Sequence, residues 1–166
     1  MKEYTHIVHP FGPLWNEHSE ILILGSLPSV KSREQNFFYG HPQNRFWPLL
    51  ALLFGEDPPG TVEEKKALAL RHHVALWDTI YSCDIVGSSD SSIRGVVPTD
   101  LRPILAGAHI RRIYCNGAAS GRYYHKYQEK TLGRNAAVLP STSPANAAWT
   151  MERLAEAWRV ILGEEL

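Results

Sequence analysis

Between Gln35 and Trp47 the chain sets five aromatic residues, one His, two Asn and two Gln within a single stretch. Rings stack on flat heterocycles and side-chain amides read hydrogen-bonding edges, so this composition suits a nucleobase. Immediately upstream, Gly25-Ser26-Leu27-Pro28-Ser29 follows the apolar run Ile21 to Leu24. A buried parallel strand running into a glycine turn is where open α/β sheets place their ligands, just past the strand's carboxyl end. Other polar groups stand at comparable places. Asn116-Gly117 closes the expected strand Ile110 to Cys115, and Pro140-Ser141-Thr142-Ser143-Pro144 follows Ala136 to Leu139. Asp78 and Asp84 could bond a sugar or hold loops, and no Ser-His-Asp or paired-carboxylate arrangement is asserted. His72-His73 falls at a helix end, where the dipole favours a cationic cap over a catalytic role.

The elements that must position these groups follow from periodicity and turn chemistry. Residues 1–19 form an arm interrupted by Pro and Gly, with Trp15 as its anchor. Strands are expected at Ile21–Leu24, Val74–Asp78, Ile110–Cys115 and Ala136–Leu139, the second short and apolar as a buried parallel strand is. Helices are expected at Asn44–Phe54, with Pro48 in the first turn, and from the capping box at Thr61 to about His72. Further helices run from Thr99-Asp100 to Ala106, from Gly117 to Lys130, and from Pro144, capped by Ser143, through Leu162. Trp149 and Trp158 on that last helix are core residues. Thr79 to Val97 reads as a long polar loop, and loops of that length in compact domains usually have a function. The alternating order implies one α/β domain over residues 1–166. It is a three-layer α/β/α sandwich around a central, mainly parallel four-stranded sheet with right-handed crossovers. The loops Gly25–Asn44, Asp78–Val97, Asn116-Gly117 and Pro140–Asn146 then meet at one sheet edge.

Composition narrows the classes. An apolar fraction of 44% with 20% charged residues is that of a soluble globule. No apolar run nears the roughly 18 residues of a membrane span. The start MKEYTHIVHP lacks a secretory apolar segment, so cytoplasmic residence is expected. The two cysteines, Cys83 and Cys115, have no CxxC or His partner at ligand spacing, so both are expected to be free thiols and no metal or cofactor is expected. Net charge is zero, yet Leu101 to Arg134 holds seven Lys and Arg against Glu129 alone. Such a segment forms either a phosphate-facing surface or a solvated helix face.

Together these pieces resemble the uracil-DNA glycosylase superfamily, and within it the hypoxanthine-DNA glycosylase (deoxyinosine glycosylase) branch. The resemblance rests on Gly25-Ser26-Leu27-Pro28-Ser29, the run Tyr39 to Trp47, Ala75-Leu76-Trp77-Asp78, Asn116-Gly117 and Leu139 to Ala145, and it spans Ile21 to Trp158. It implies a monofunctional enzyme, acting as a monomer, that flips a deaminated base from double-stranded DNA and hydrolyses its N-glycosidic bond in base excision repair. Hypoxanthine is the implied base. Rival readings are a glycosylase directed mainly at uracil or xanthine, and a non-catalytic nucleic-acid-binding domain of the same fold.

Residue roles follow from the same resemblance. Much of the superfamily carries a water-positioning Asp or Asn in the first turn motif, where this chain has Ser26 and Leu27. The hypoxanthine branch uses instead the Asn of its HPQN segment, here Asn44, orienting water through its carbonyl; the plain alternative is a helix N-cap. Tyr39 is the stacking platform or else a core tyrosine. Asn116 reads the base edge or simply precedes Gly in a turn. Gly25, Ser26, Leu27 and Pro28 line the base, and His41 donates to it or shapes the loop. Ser29, Ser141, Thr142, Ser143, Pro144 and Ala145 hold DNA, with Ala145 too small for a strong wedge. Leu139 stands where the superfamily often has a His, which fits a purine leaving group better than uracil. Lys31 is the only lysine in the pocket loops, so no lyase step is expected.

Overall fold

The computed structural model describes residues 3–87 and 89–163; residues 1, 2, 88 and 164–166, which belong to the expected arm, polar loop and domain end, lie outside the description. Four parallel strands form the main sheet: β2 (Ile21–Gly25), β3 (Val74–Asp78), β6 (Arg112–Asn116) and β7 (Ala137–Leu139), in the order β3-β2-β6-β7. All five residues of β2 and of β3 are buried, which is why both read as unbroken apolar runs and not as alternating strands. β2 pairs in register with β3 on one side (Gly25 opposite Asp78) and with β6 on the other (Leu24 opposite Cys115).

The chain leaves β2 for β3 on one flank and reaches β6 on the opposite flank. The gap between β2 and β6 is therefore the sheet's topological switch point, and a crevice opens beyond the strand ends there. Helices cover the sheet. α3 (Val62–Arg71) packs on β3, and α5 (Ala118–Tyr127) packs on β6 and β7. α2 (Phe46–Phe54) packs against α7 (Met151–Trp158), which continues as a 3-10 turn over Arg159–Leu162. α3 carries the expected capping box: Thr61 accepts from the Glu64 N–H at 3.1 Å while Glu64 accepts from the Thr61 N–H at 3.1 Å. Phe46, Trp47, Leu49 and Leu50 join the strand side chains and Trp158 in the main core.

The region expected to be a polar loop is a second, antiparallel sheet. β4 (Ile80–Ile85) pairs with β1 (Thr5–Val8) and with β5 (Arg94–Pro98). Only Thr79 separates β3 from β4, so one strand effectively continues from the main sheet into the small one. The signal was faint because β4 and β5 pair with register shifts and β1 and β5 are largely exposed. A small apolar cluster of Ile80, Cys83 and Ile85 holds this sheet, with Ile7, Leu27, Val96 and Tyr123 packed on it. The expected arm therefore contributes a strand. Trp15 does anchor it, its ring lying against Gly107 where a Cβ would collide with it.

Two helical boundaries also differ from expectation. A short α1 (Val30–Gln35) follows the glycine turn, with the Ser29 hydroxyl accepting from the Ser32 N–H at 3.2 Å. The last helix begins at Met151 under a Thr150 cap, seven residues later than the proline at 144 suggested. Ser143 instead turns the chain locally, accepting from the Ala145 N–H at 3.2 Å. Arg45 binds the carbonyls of Ser143, Asn146 and Trp149, which holds residues 143–149 in a non-helical path. The remaining elements are α4 (Arg102–Gly107) and α6 (Glu129–Leu132), the latter formed where the expected helix ending at Lys130 breaks at Gln128.

Candidate functional site

A cavity of about 700 Å³ opens at the switch point between β2 and β6. All fourteen residues singled out from the sequence line it: Asn44; Gly25, Ser26, Leu27, Pro28, Tyr39, His41 and Asn116; and Ser29, Ser141, Thr142, Ser143, Pro144 and Ala145. The fold brings them together because β2, β6 and β7 end side by side, and the loop after β2 folds back over those ends.

One wall is a chain of amides and a hydroxyl. Asn116 Nδ2 donates to Thr142 Oγ1 at 3.0 Å, and the Thr142 N–H donates back to Asn116 Oδ1 at 3.1 Å. Thr142 Oγ1 then donates to Asn44 Oδ1 at 2.9 Å. Asn44 Oδ1 also accepts from the Phe46 N–H at 2.9 Å, and Arg45 N–H donates to the Thr142 carbonyl at 3.1 Å. Thr142 is only 1% exposed, so it works as the buried pin between two loops. Asn44 thus acts at the helix start, its carbonyl accepting an N–H of the first turn of α2, and it also lines the cavity. Because both of its partners donate, the amide orientation is fixed with oxygen toward them. Its nitrogen has no partner among the described residues. The carbonyl route expected for water meets an oxygen that already carries two hydrogen bonds.

The floor is Tyr39. Its ring stacks on Phe46 with centroids 4.1 Å apart, one face covered, while the residue stays partly exposed and lines the cavity. Tyr39 has φ of 54°, a left-handed conformation uncommon for an aromatic residue. Its neighbours hold it there: Trp47 Nε1 donates to the Phe38 carbonyl at 3.0 Å, and the Gly40 N–H donates to Ser32 Oγ at 2.8 Å. The hydroxyl end points inward, buried and without a hydrogen-bond partner among the described residues. Burial, and secondly the Asp78 charge, push its pKa far above the ordinary phenol value, so it stays protonated.

The upper rim is shaped by glycine and serine. Gly117, at φ 96°, follows β6, and a Cβ there would stand 3.1 Å from Ser141 Cβ, so a side chain is strained by the backbone and crowded by Ser141. His41 Nδ1 accepts from the Gln43 N–H at 3.1 Å, which ties the ring to its own loop and leaves Nε2 as the donor. Of the seven basic residues between Leu101 and Arg134, Arg122 alone lines the cavity. Arg102 pairs with Asp100, Arg111 with Glu20, and Arg112 and Arg134 donate to carbonyls of Val160 and Ile110. Four of the seven thus have partners within the fold.

Several lining residues had not been singled out as site residues, among them Phe38, Arg33, Arg122 and Asp78. Asp78 had a legible signal, a carboxylate at the carboxyl end of a buried strand. Cys83 and Cys115 are buried free thiols, and burial pushes Cys115 up to about 11.

A stacked tyrosine, an amide wall and a buried carboxylate meet at the switch point of the sheet, the arrangement of an α/β protein with its site beyond the strand ends. Comparison with known proteins agrees. Residues 13–162 match the uracil DNA glycosylase superfamily, and the chain belongs to that superfamily. It is 35% identical to a hypoxanthine DNA glycosylase of Methanosarcina acetivorans, over 91% of this chain and 95% of that protein. It is 33% identical to a hypoxanthine DNA glycosylase of Methanosarcina barkeri, over 82% and 86%. Its fold matches the solution NMR structure of a Methanosarcina acetivorans protein provisionally described as a uracil DNA glycosylase, with a TM-score of 0.78, 33% identity, and coverage of 91% and 93%.

Proposed function

We propose that this DNA glycosylase excises hypoxanthine, flipping deoxyinosine from the duplex and hydrolysing its N-glycosidic bond. The observation that carries the reading is the pinned amide wall facing a tyrosine platform, in a chain whose named relatives act on hypoxanthine. The flipped purine stacks on the open face of Tyr39, with its edge toward Asn116 and Asp78. Backbone N–H groups of the Ser26–Ser29 turn face its carbonyl oxygen. Ser141 to Ala145, with Arg122 and Arg33 at the rim, meet the strand from which the base has left.

The reaction breaks the C1′–N9 bond, forms a C1′–O bond from water, and leaves the water's proton on the departing base. Its transition state is oxocarbenium-like, so placement and electrostatics matter more than a strong base. Asn44 supplies placement. Its Nδ2 donates to the water oxygen, and the water's other lone pair is left to meet C1′, while Phe46 and Thr142 hold the amide rigid. The monomer is sufficient, since this chain supplies every residue invoked.

Duplexes bearing a single hypoxanthine, xanthine or uracil test this, with alkali to cleave the abasic product. Asn44→Ala is run beside the wild type, with DNA binding measured for both. Hypoxanthine cleavage that falls at least about 100-fold in the variant, with binding retained, supports the assignment. Cleavage of uracil alone overturns the substrate, and wild-type binding without any cleavage overturns the activity. Full activity in Asn44→Ala removes Asn44 from the mechanism.

A further inference from the structure

The deep end of the pocket contains a pair, His9 and Asp78, whose hydrogen bonding the reading above does not use. His9 Nε2 and Asp78 Oδ2 lie 2.6 Å apart, with both side chains essentially buried. His9 comes from the arm just after β1, and its ring is packed between Trp77, at 4.4 Å, and Phe11, at 4.6 Å. Its Nδ1 has no hydrogen-bond partner among the described residues. The carboxylate thus sets the tautomer: the ring proton sits on Nε2 and is donated to Asp78. The other carboxylate oxygen, Oδ1, has no partner among the described residues. It lies against Gly25, where a Cβ would collide with it and would also stand 3.3 Å from Tyr39 Oη. Asp78 lines the cavity beside Gly25, Tyr39 and Asn116.

This oxygen belongs to a side chain only 5% exposed that lines the cavity, so it is placed to accept from a donor that enters there. Deamination of adenine or of cytosine creates such a donor. Hypoxanthine and xanthine carry N1–H, and uracil carries N3–H, where adenine and cytosine present a lone pair. We propose that Asp78 Oδ1 accepts the imino N–H of the flipped base and so selects hypoxanthine and uracil against adenine and cytosine, with His9 as the positioning residue that fixes the carboxylate. The inference rests on the glycosylase reading above. Adenine in the same pose would set N1's lone pair against the carboxylate and leave both unpaired, the arrangement by which polar sites reject near-isosteres most strongly. Guanine keeps its own N1–H, so its exclusion falls to other walls of the pocket. Gly25 has a stated purpose here, because only glycine lets the carboxylate edge reach the base.

The test compares hypoxanthine with 1-methylhypoxanthine, which has no imino proton, each at a single duplex site, for the wild type and Asp78→Ala. The wild type is expected to favour hypoxanthine by at least about 100-fold. Asp78→Ala is expected to lose roughly 10- to 100-fold on hypoxanthine while the methylated base is cut no more slowly than by the wild type, so the ratio collapses. That ratio is internal to each preparation and does not depend on how much of the variant folds. Equal wild-type rates on the two bases overturn the inference, and so does an Asp78→Ala hypoxanthine rate left at the wild-type level or an equal loss on both. Should the variant not fold, the wild-type ratio decides alone. A wild type inactive on every base instead overturns the function proposed above.

Discussion

Removing the Thr142 hydroxyl is the most informative perturbation of the pocket wall. Thr142→Val keeps the shape of a side chain that is 1% exposed but deletes two hydrogen bonds, to Asn44 Oδ1 at 2.9 Å and from Asn116 Nδ2 at 3.0 Å. Each amide retains one anchor: Asn44 keeps the Phe46 N–H, and Asn116 keeps the Thr142 N–H. At roughly 1 kcal/mol for each lost bond, plus the cost of an unpaired Asn116 donor, stability should fall by about 2–3 kcal/mol. For a chain of this size that corresponds to a melting temperature lower by roughly 5–10 °C. Catalysis should fall further than stability implies, because Asn44 can then rotate about its last torsion and water is no longer held at one point. A drop of about 10- to 100-fold in the single-turnover rate on hypoxanthine is expected, with DNA affinity little changed. Thr142→Ser, which restores the hydroxyl, should recover most of both. Stopped time courses on a hypoxanthine duplex, with thermal melts of the three proteins, measure this. A Thr142→Val protein that melts lower yet cleaves within about threefold of the wild-type rate would refute the idea that this hydroxyl holds the catalytic amide.

Two further outcomes are expected elsewhere. Gly25→Ala sets a methyl group on the Asp78 carboxylate and against Tyr39 Oη, inside a strand with no exposed residue; a loss of about 1–3 kcal/mol in chemical denaturation is expected, with base excision impaired beyond that loss. Glu56 is the clearest pH-dependent group: hydrogen bonds first from Arg71 and then from His72 hold its carboxyl down at about 2, below its ordinary 4.5. A depressed carboxyl contributes stability above its unfolded pKa and loses it as pH falls toward the folded one. Melts of wild type and Glu56→Gln should therefore differ above about pH 5 and converge as pH drops from 4.5 toward 2; a gap that is constant across that window would contradict the pairing.

How much of this could be read from the chain alone differs by element. The sheet strands were legible because strands buried on both faces must be apolar throughout, and Ile21–Leu24 and Val74–Trp77 are. Their order along the chain also placed the loops after β2, β6 and β7 at one edge, and all fourteen site residues line the cavity found there. The second sheet was not legible. Its strands are short and half exposed, joined by register shifts, and β1 pairs with a strand more than seventy residues away, a partnership that local pattern cannot encode. The late start of α7 was hidden for a related reason, because the bonds from Arg45 that hold residues 143–149 out of a helix come from the far end of another loop.

Burial and turn chemistry act locally, so the order of residues already specified which side chains were available and which sheet edge would gather them. Tertiary structure alone decided what each group is free to do. Asn44's oxygen is occupied because Thr142, 98 residues away, donates to it. Asp78 presents one oxygen to the pocket because His9, 69 residues away on the arm, has taken the other. Hydrogen-bond capacity is a local property of a residue, but the partners that use it up are set by the fold.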